Sequence, residues 1–201
     1  MKLVHTITAL ALIVLWGCGP SQAPPKFRAK FETSHGNFVI EVTRDWAPLG
    51  ADRFHELVKA GFFDECRFFR VLPGFVVQFG INGDPALNEK WKENRIQDDP
   101  PLQSNAPATV TFATSGPNTR TTQLFISLAN NDRLDPQGFT PFGRVVEGME
   151  NVVEFHSAYG EGFPNGAGPD QKKIQAEGNA YLKKDFPRLD YIKKAYIVEQ
   201  K

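Results

Sequence analysis

Apolar and polar residues alternate from Phe27: Phe27, Ala29 and Phe31 are separated by charged residues, and after Ser34-His35-Gly36-Asn37 the alternation resumes at Phe38, Ile40 and Val42. Two period-two runs around a glycine turn predict a β-hairpin. Pro48 then opens a stretch in which Phe54, Leu57, Val58 and Gly61 fall on one helical face, which predicts a helix over 48–60 stopped by Gly61. From Arg67 to Gly80 the chain is dense in aromatic and β-branched residues, predicting strands broken at Pro73-Gly74. Residues 81–107 are polar, contain Pro85, Pro100 and Pro101, and read as a long ordered loop. Further strands are predicted at 109–113, 124–128 and 142–146, then a helix at 147–159 on Met149, Val152, Val153 and Phe155. The Gly-rich run Gly160–Gly168 reads as a flexible turn, followed by a helix capped by Asp170 and running to about Lys184. Pro187 ends it, and 191–199 alternates as a closing strand. Many short strands with turns between them predict a mainly β barrel or sandwich flanked by a few helices. Its first and last strands are expected to pair and close a barrel, which removes exposed edges.

The N-terminus follows a different pattern. Lys2 is the sole Lys or Arg of the first 25 residues, and Leu3–Leu15 is mostly apolar, too short for a comfortable span but fitting a secretory signal. Its end, Leu15-Trp16-Gly17-Cys18, resembles a bacterial lipoprotein signal, in which the cysteine is lipidated and becomes the first residue. An ordinary signal peptide cut elsewhere, or an uncleaved anchor, is the competing reading. The expected organisation is a signal peptide over 1–17, a Pro-rich tether over 18–26 and a single domain over 27–201. The expected destination is the bacterial envelope, with the protein held to a membrane through Cys18 and facing the periplasm or exterior.

Composition narrows the chemistry. The 201 residues carry 23 basic and 23 acidic side chains; loss of residues 1–17 takes one Lys and no acid, leaving 22 and 23 and a charge of −1. That balance offers no basic footprint for nucleic acid. With Cys18 acylated, Cys66 is a lone thiol flanked by Phe and Arg with no His nearby, and reads as a core residue rather than a nucleophile. The four His have no metal-ligand spacing, the Gly-rich run lacks a Gly-Lys-Ser/Thr ending, and no Gly-x-Ser-x-Gly elbow or carboxylate pair stands out. No metal and no cofactor are expected. What remains is Arg70, alone in the apolar run Phe68-Phe69-Arg70-Val71-Leu72-Pro73-Gly74-Phe75-Val76-Val77-Gln78. Strand alternation places Phe68, Arg70 and Leu72 on one face. Arg70 is then either a snorkelling or ion-paired structural residue or a functional one.

That run resembles the cyclophilin signature Phe-His-Arg-x-x-Pro-x-Phe-x-x-Gln. A second block, Phe112-Ala113-Thr114-Ser115-Gly116-Pro117-Asn118-Thr119 and then Thr122-Gln123-Leu124-Phe125-Ile126, is similar to the family's Ala-x-x-Gly-Pro-Asn-Thr…Ser-Gln-Phe-Phe-Ile. A third is Leu134-Asp135 followed by Phe142-Gly143-Arg144-Val145-Val146-Glu147-Gly148-Met149. The resemblance spans about Phe27 to Glu199. It implies a closed eight-stranded antiparallel barrel capped by two helices, with an additional C-terminal helical segment. It also implies cis/trans isomerisation of the bond before proline, with Arg70 hydrogen-bonding the twisted amide and Gln78 contacting the substrate or holding Arg70. Phe75, Val76, Phe125 and Leu134 would form the proline pocket, with Phe139 at its edge. Ala113, Thr114 and Ser115 would meet the peptide backbone, and Gln123 would line the groove. The substrates would be proline-containing peptides and unfolded proteins, and the protein a monomer.

Several positions depart from the family pattern. Phe69 replaces the His beside the Arg and is expected to face away, with little effect. Val76 replaces Met, Thr114 replaces Asn, and Phe139 stands where eukaryotic members often carry His. Arg133 stands at the Trp of cyclosporin-sensitive members, which implies weak cyclosporin binding. Phe79-Gly80-Ile81-Asn82-Gly83-Asp84 departs from the common Gly-Gly-Asp. The 160–184 segment resembles an insertion in some bacterial members, without an assigned role. The competing functions are a non-catalytic peptide-binding or chaperone module on the same fold, and a purely structural envelope lipoprotein.

Overall fold

A computed structural model describes residues 22–198, and Cys18 lies outside them. The alternating runs form the predicted hairpin: β1 (Lys26–Thr33) pairs antiparallel with β2 (Phe38–Thr43). Phe31 stands opposite Phe38, and their rings stack at 4.9 Å between centroids. The Thr33 hydroxyl sets the turn by accepting the His35 and Gly36 N–H groups at 3.2 and 3.1 Å. Helix α1 (Pro48–Lys59) buries Phe54, Leu57 and Val58, and Gly61 supplies the positive φ just beyond its end. Its residue Ala47 gives no side-chain cap. Instead the Asp99 carboxylate accepts the Leu49 and Gly50 N–H groups, both at 2.9 Å. Contacts with the domain begin ahead of β1: Ala23 is buried and donates its N–H to Asp52 Oδ1 at 2.8 Å.

The rest of the chain supplies β3 (Arg70–Leu72), β4 (Val76–Phe79), α2 (Pro85–Trp91), β5 (Thr109–Phe112), β6 (Leu124–Ser127), β7 (Pro141–Glu147), α3 (Met149–Val153), α4 (Gln171–Asp185) and β8 (Ile192–Val198). All strand pairs are antiparallel, in the order β3-β4-β6-β5-β7-β2-β1-β8. The first and last strands pair, as expected. The closed barrel is not formed: the sheet is an open half-barrel with β3 and β8 as its edges. The reason is local. β3 is three residues long, cut on one side by Pro73-Gly74 and preceded by Glu65 at φ 63°. No ladder can propagate there. A seam of single backbone bonds spans the gap instead: Glu65 N–H to Ile192 O at 2.8 Å, Ile192 N–H to Cys66 O at 2.9 Å and Phe68 N–H to Asp190 O at 3.0 Å.

Most of the 17 phenylalanines lie in one core cluster on the inner face of the sheet, where Phe54 meets Phe63 and Phe142 and Phe68 stacks on Phe155 at 4.1 Å. Cys66 is fully buried there, its Sγ 3.5 Å from the Phe62 carbonyl oxygen, and burial pushes its thiol pKa up. It is a core residue.

Two helix expectations change. The polar stretch after residue 81 contains α2, capped by Asp84, whose carboxylate accepts the Ala86 N–H at 2.9 Å. The helix predicted over 147–159 is reduced to Met149–Val153. β7 extends through Glu147 and Gly148 turns at φ 76°, which delays its start. Beyond it the His156 N–H goes to Asp190 Oδ2 at 2.8 Å rather than to a helical carbonyl. The Asp170-capped helix is present as α4, kinked at Gly178.

α4 brings a second core with it. Ile174, Tyr181 and Leu182 pack with Ile81, Leu189 and Phe69. Phe69 does face away from Arg70, but it is 2 % exposed and forms part of the seat of the whole segment. Phe69→Ala is therefore expected to destabilise the protein by about 3 kcal/mol in urea unfolding, and a loss under about 1 kcal/mol would contradict this packing.

Candidate active site

β3 and β4 divide their side chains between two faces. Val71 and Val77 stand opposite each other and enter the main core. Arg70 and Gln78, the next opposed pair, lie by alternation on the outer face, as do Leu72 and Val76. β6 repeats the division: Leu124 and Ile126 are in the core, and Phe125, opposite Gln78, is outside that cluster. The site is thus built on the outside of the sheet. Phe68 does not share a face with Arg70. It enters the main core together with Val71, three positions on, because residues 67–69 lie outside the β3–β4 ladder and strand parity breaks there.

A chain of polar contacts runs across this face. Arg70 Nη1 donates to Gln78 Oε1 at 3.2 Å, and Gln78 Nε2 donates to Gln123 Oε1 at 3.0 Å. On its other edge the guanidinium donates from Nε and Nη2 to the two carboxylate oxygens of Glu161, at 2.6 and 2.7 Å. The Arg70 hydrogen bonds hold the Glu161 carboxyl below the usual carboxylate range. The Phe75 ring lies beneath two guanidinium groups, Arg70 at 5.5 Å and Arg133 at 4.6 Å from its centroid. Its backbone is fixed: the Phe75 carbonyl accepts the Leu128 N–H at 2.8 Å and Asn131 Nδ2 at 2.9 Å.

The apolar part of the site is a set of aromatic edges. Phe125 and Phe139 meet edge to face at 5.7 Å. Leu134 sits half-buried in the 3-10 turn Asp132–Gln137, its N–H bonded to Asn131 O at 2.8 Å. Val76 is 2 % exposed and faces Ser127 across the ladder, so it is floor rather than wall. One buried residue ties these parts together. Asn105 Nδ2 donates to Phe139 O and to Asp135 Oδ1, both at 2.7 Å, and its Oδ1 accepts the Thr111 hydroxyl at 2.8 Å.

Beside Gln78 a cleft of about 220 Å³ is lined by Ala113, Thr114, Ser115, Thr119, Thr121, Gln123 and Gln171. Ser115, Thr119, Thr121 and Gln123 also border a neighbouring cleft of about 250 Å³, reached by Gln175 of α4. The wall between them is braced from behind. Thr119 Oγ1 accepts the Ser115 N–H at 2.9 Å, and Asp98 and Asn118 exchange two bonds of 2.8 Å between the N–H of each and the side-chain oxygen of the other. Arg120, 2 % exposed, reaches Asp99 Oδ2 from Nη1 and Nη2 at 3.1 Å.

Most of the residues singled out by sequence therefore occupy one face. Arg70, Gln78 and Gln123 form its polar line, Phe75 packs under Arg70, and Phe125 and Phe139 meet beside that line. Ala113, Thr114 and Ser115 form the groove wall. Sequence reasoning missed Asn105, Gln171 and Glu161. The last carried a signal, an acid within the run Gly160–Gly168, but nothing in that run points to a partner 91 positions earlier.

A model of the family described as cyclophilin type peptidyl-prolyl cis-trans isomerase/CLD matches residues 28–175. A peptidyl-prolyl cis-trans isomerase-like 1 of Gibberella zeae is 33% identical over 127 residues, 60% of this chain and 76% of its own. A peptidyl-prolyl cis-trans isomerase of Arabidopsis thaliana is 34% identical over 144 residues, 69% of this chain and 84% of its own. Among solved structures, a cyclophilin type peptidyl-prolyl cis-trans isomerase of Cryptosporidium parvum superposes with a TM-score of 0.63 at 20% identity, covering 88% of this chain and 99% of its own. The same protein crystallised in the presence of the dipeptide Ala-Pro superposes at 0.61 with 19% identity, covering 86% and 99%.

Proposed function

The chain belongs to the cyclophilin-type peptidyl-prolyl cis-trans isomerase family, and from that premise we propose that Arg70 drives rotation about Xaa-Pro bonds on the outer face of the sheet. Rotation breaks amide resonance against a barrier of about 18–20 kcal/mol. Unassisted exchange takes tens to hundreds of seconds, roughly. A turnover of order 100 per second requires roughly 5–6 kcal/mol of transition-state stabilisation. In the twisted state the proline nitrogen regains a lone pair that accepts a hydrogen bond. A guanidinium donates that bond with its charge intact, worth about 1.5–3 kcal/mol. Phe75, Phe125, Phe139 and Leu134 hold the ring while the acyl side, lying along Ala113–Ser115, turns. Fixed donors and a fixed ring supply the remainder, because they cost no reorganisation during rotation.

The observation that carries this reading is the placement of Arg70: a guanidinium held by Gln78 over Phe75, beside an aromatic pocket edge and a groove. A coupled isomerisation assay on Xaa-Pro peptides tests it. Acceleration above the solvent rate is expected, and a folded protein that binds such peptides without accelerating them would instead be the non-catalytic module.

The proposal extends to location. Leu3–Leu15 and the ending Leu15-Trp16-Gly17-Cys18 support an exported bacterial lipoprotein, anchored through Cys18 and working on exported chains as a monomer. Among the described residues no helix is long and apolar enough to cross a membrane. Mass spectrometry of the mature N-terminus decides it: a chain beginning anywhere but at an acylated Cys18 rules it out.

A further inference from the structure

The contact that the family signature does not foreshadow is the one between Arg70 and Glu161. A guanidinium has five N–H donors. Glu161 takes two in a forked arrangement and Gln78 takes one, which leaves two for a substrate. A fork of this kind fixes the guanidinium plane as well as its position. Gln78 alone, through one bond of 3.2 Å, leaves the group free to pivot.

The loop is shaped around this glutamate. The Glu161 carbonyl accepts the Gly168 N–H at 2.8 Å, and its Oε1 accepts the Gly162 N–H at 2.9 Å. A Cβ on Gly166 or Gly168 would fall inside van der Waals contact of the Glu161 carbonyl oxygen. The Gly-rich run is therefore a fixed turn, not a flexible one. Its far end is anchored where Asp170 N–H meets the Tyr181 hydroxyl at 3.1 Å, inside the second core that holds Phe69. The same segment places Gln171 and Gln175 on the groove. Arg70 is mostly buried and Glu161 about a third exposed, so the pair is partly shielded from water.

Resting on the isomerase reading, we propose that Glu161 is the positioning residue of Arg70, and that the 160–184 segment is built to deliver it. Fixing the plane aims the two remaining N–H groups at the amide as it twists. A pivoting guanidinium still binds the ground-state peptide but is misaligned in the transition state. The cost of losing Glu161 then falls on kcat rather than KM.

Kinetics on an Xaa-Pro peptide would compare wild type, Glu161→Gln and Glu161→Ala, each also in an Arg70→Ala background. Glu161→Ala is expected to lower kcat about tenfold, with KM held within about twofold. Glu161→Gln, which keeps the shape and loses the fork, should fall between. In the Arg70→Ala background neither should cost anything further. Circular dichroism melts should match the parent, which separates positioning from unfolding. Wild-type kcat in both variants, with Arg70→Ala impaired, would overturn this inference and leave the isomerase reading standing. A wild type without acceleration would remove the isomerase reading, and the pair itself would then be judged by NMR. An Arg70 Nε–H resonance slow to exchange in wild type and fast in Glu161→Gln supports it; equal exchange in both overturns it.

Discussion

Arg70→Ala is expected to lower kcat/KM on Xaa-Pro peptides by about 10²–10³-fold, the cost of removing one donor aimed at developing charge. The truncation takes away the charge-assisted bond to the twisted amide and leaves Gln78 without the donor that holds its Oε1. Gln78 then keeps only its bond to Gln123. Stability should change little, because Glu161 is partly exposed and water replaces its partner. Arg70→Lys should recover less than about tenfold of the loss. Its ammonium is a point charge and cannot fork to Glu161 while also reaching Gln78 and substrate. Activity of Arg70→Ala within about threefold of wild type would remove Arg70 from the mechanism.

The second large effect is on stability. Asp99→Ala is expected to cost about 3–5 kcal/mol, the range for breaking a buried ion pair from one side. Asp99 and Arg120 are 6 % and 2 % exposed, and the carboxylate also accepts the first two free N–H groups of α1. Its removal strands a buried guanidinium and two helix-end donors together. Of the guanidinium's other partners, the Gln97 carbonyl carries no charge and Asp98, 3.4 Å from Arg120 Nε, is itself a third exposed, so they compensate little. The melting temperature should fall by roughly 6–20 °C for a domain of this size. The double replacement Asp99→Ala, Arg120→Met should recover a good part of that, since it removes the stranded charge. Because Arg120 braces the groove wall from behind, Asp99→Ala should also raise KM. A melt unchanged within a degree or two would show that the pair does not hold this wall.

What the chain discloses in advance follows its periodicity. The β1–β2 hairpin, α1 and most strand positions were legible because each rests on a local pattern of two or 3.6 residues, and the β1–β8 pairing because joining the first and last strands covers an edge of each. The candidate site was legible through motifs that resemble the family signature, which is why Arg70, Gln78, Phe75 and Phe125 could be proposed before the fold. The remainder depends on partners far apart in sequence. α1 is capped from Asp99, 50 positions beyond Leu49. Phe139 is held by Asn105, and Arg70 by Glu161. The helix expected over 147–159 failed for the same reason: Asp190 takes the His156 N–H that a helix would have used. The closed barrel failed on a backbone detail, the three residues available to β3.

The open sheet bears on how this protein survives its own substrates. Under the proposed isomerase function, the molecule meets extended backbone seeking a partner strand. An uncovered edge would recruit it and grow. Both edges here are blunted. β3 ends at Pro73 after three residues, which is too short a template. On β8 the Ala195 N–H is plugged by Asp64 Oδ1 at 2.9 Å, and the adjacent Lys193 and Lys194 are exposed. The seam bonds of Ile192 occupy the rest of that end. The half-barrel can thereby stay open without offering a template on which extended chains would add and aggregate.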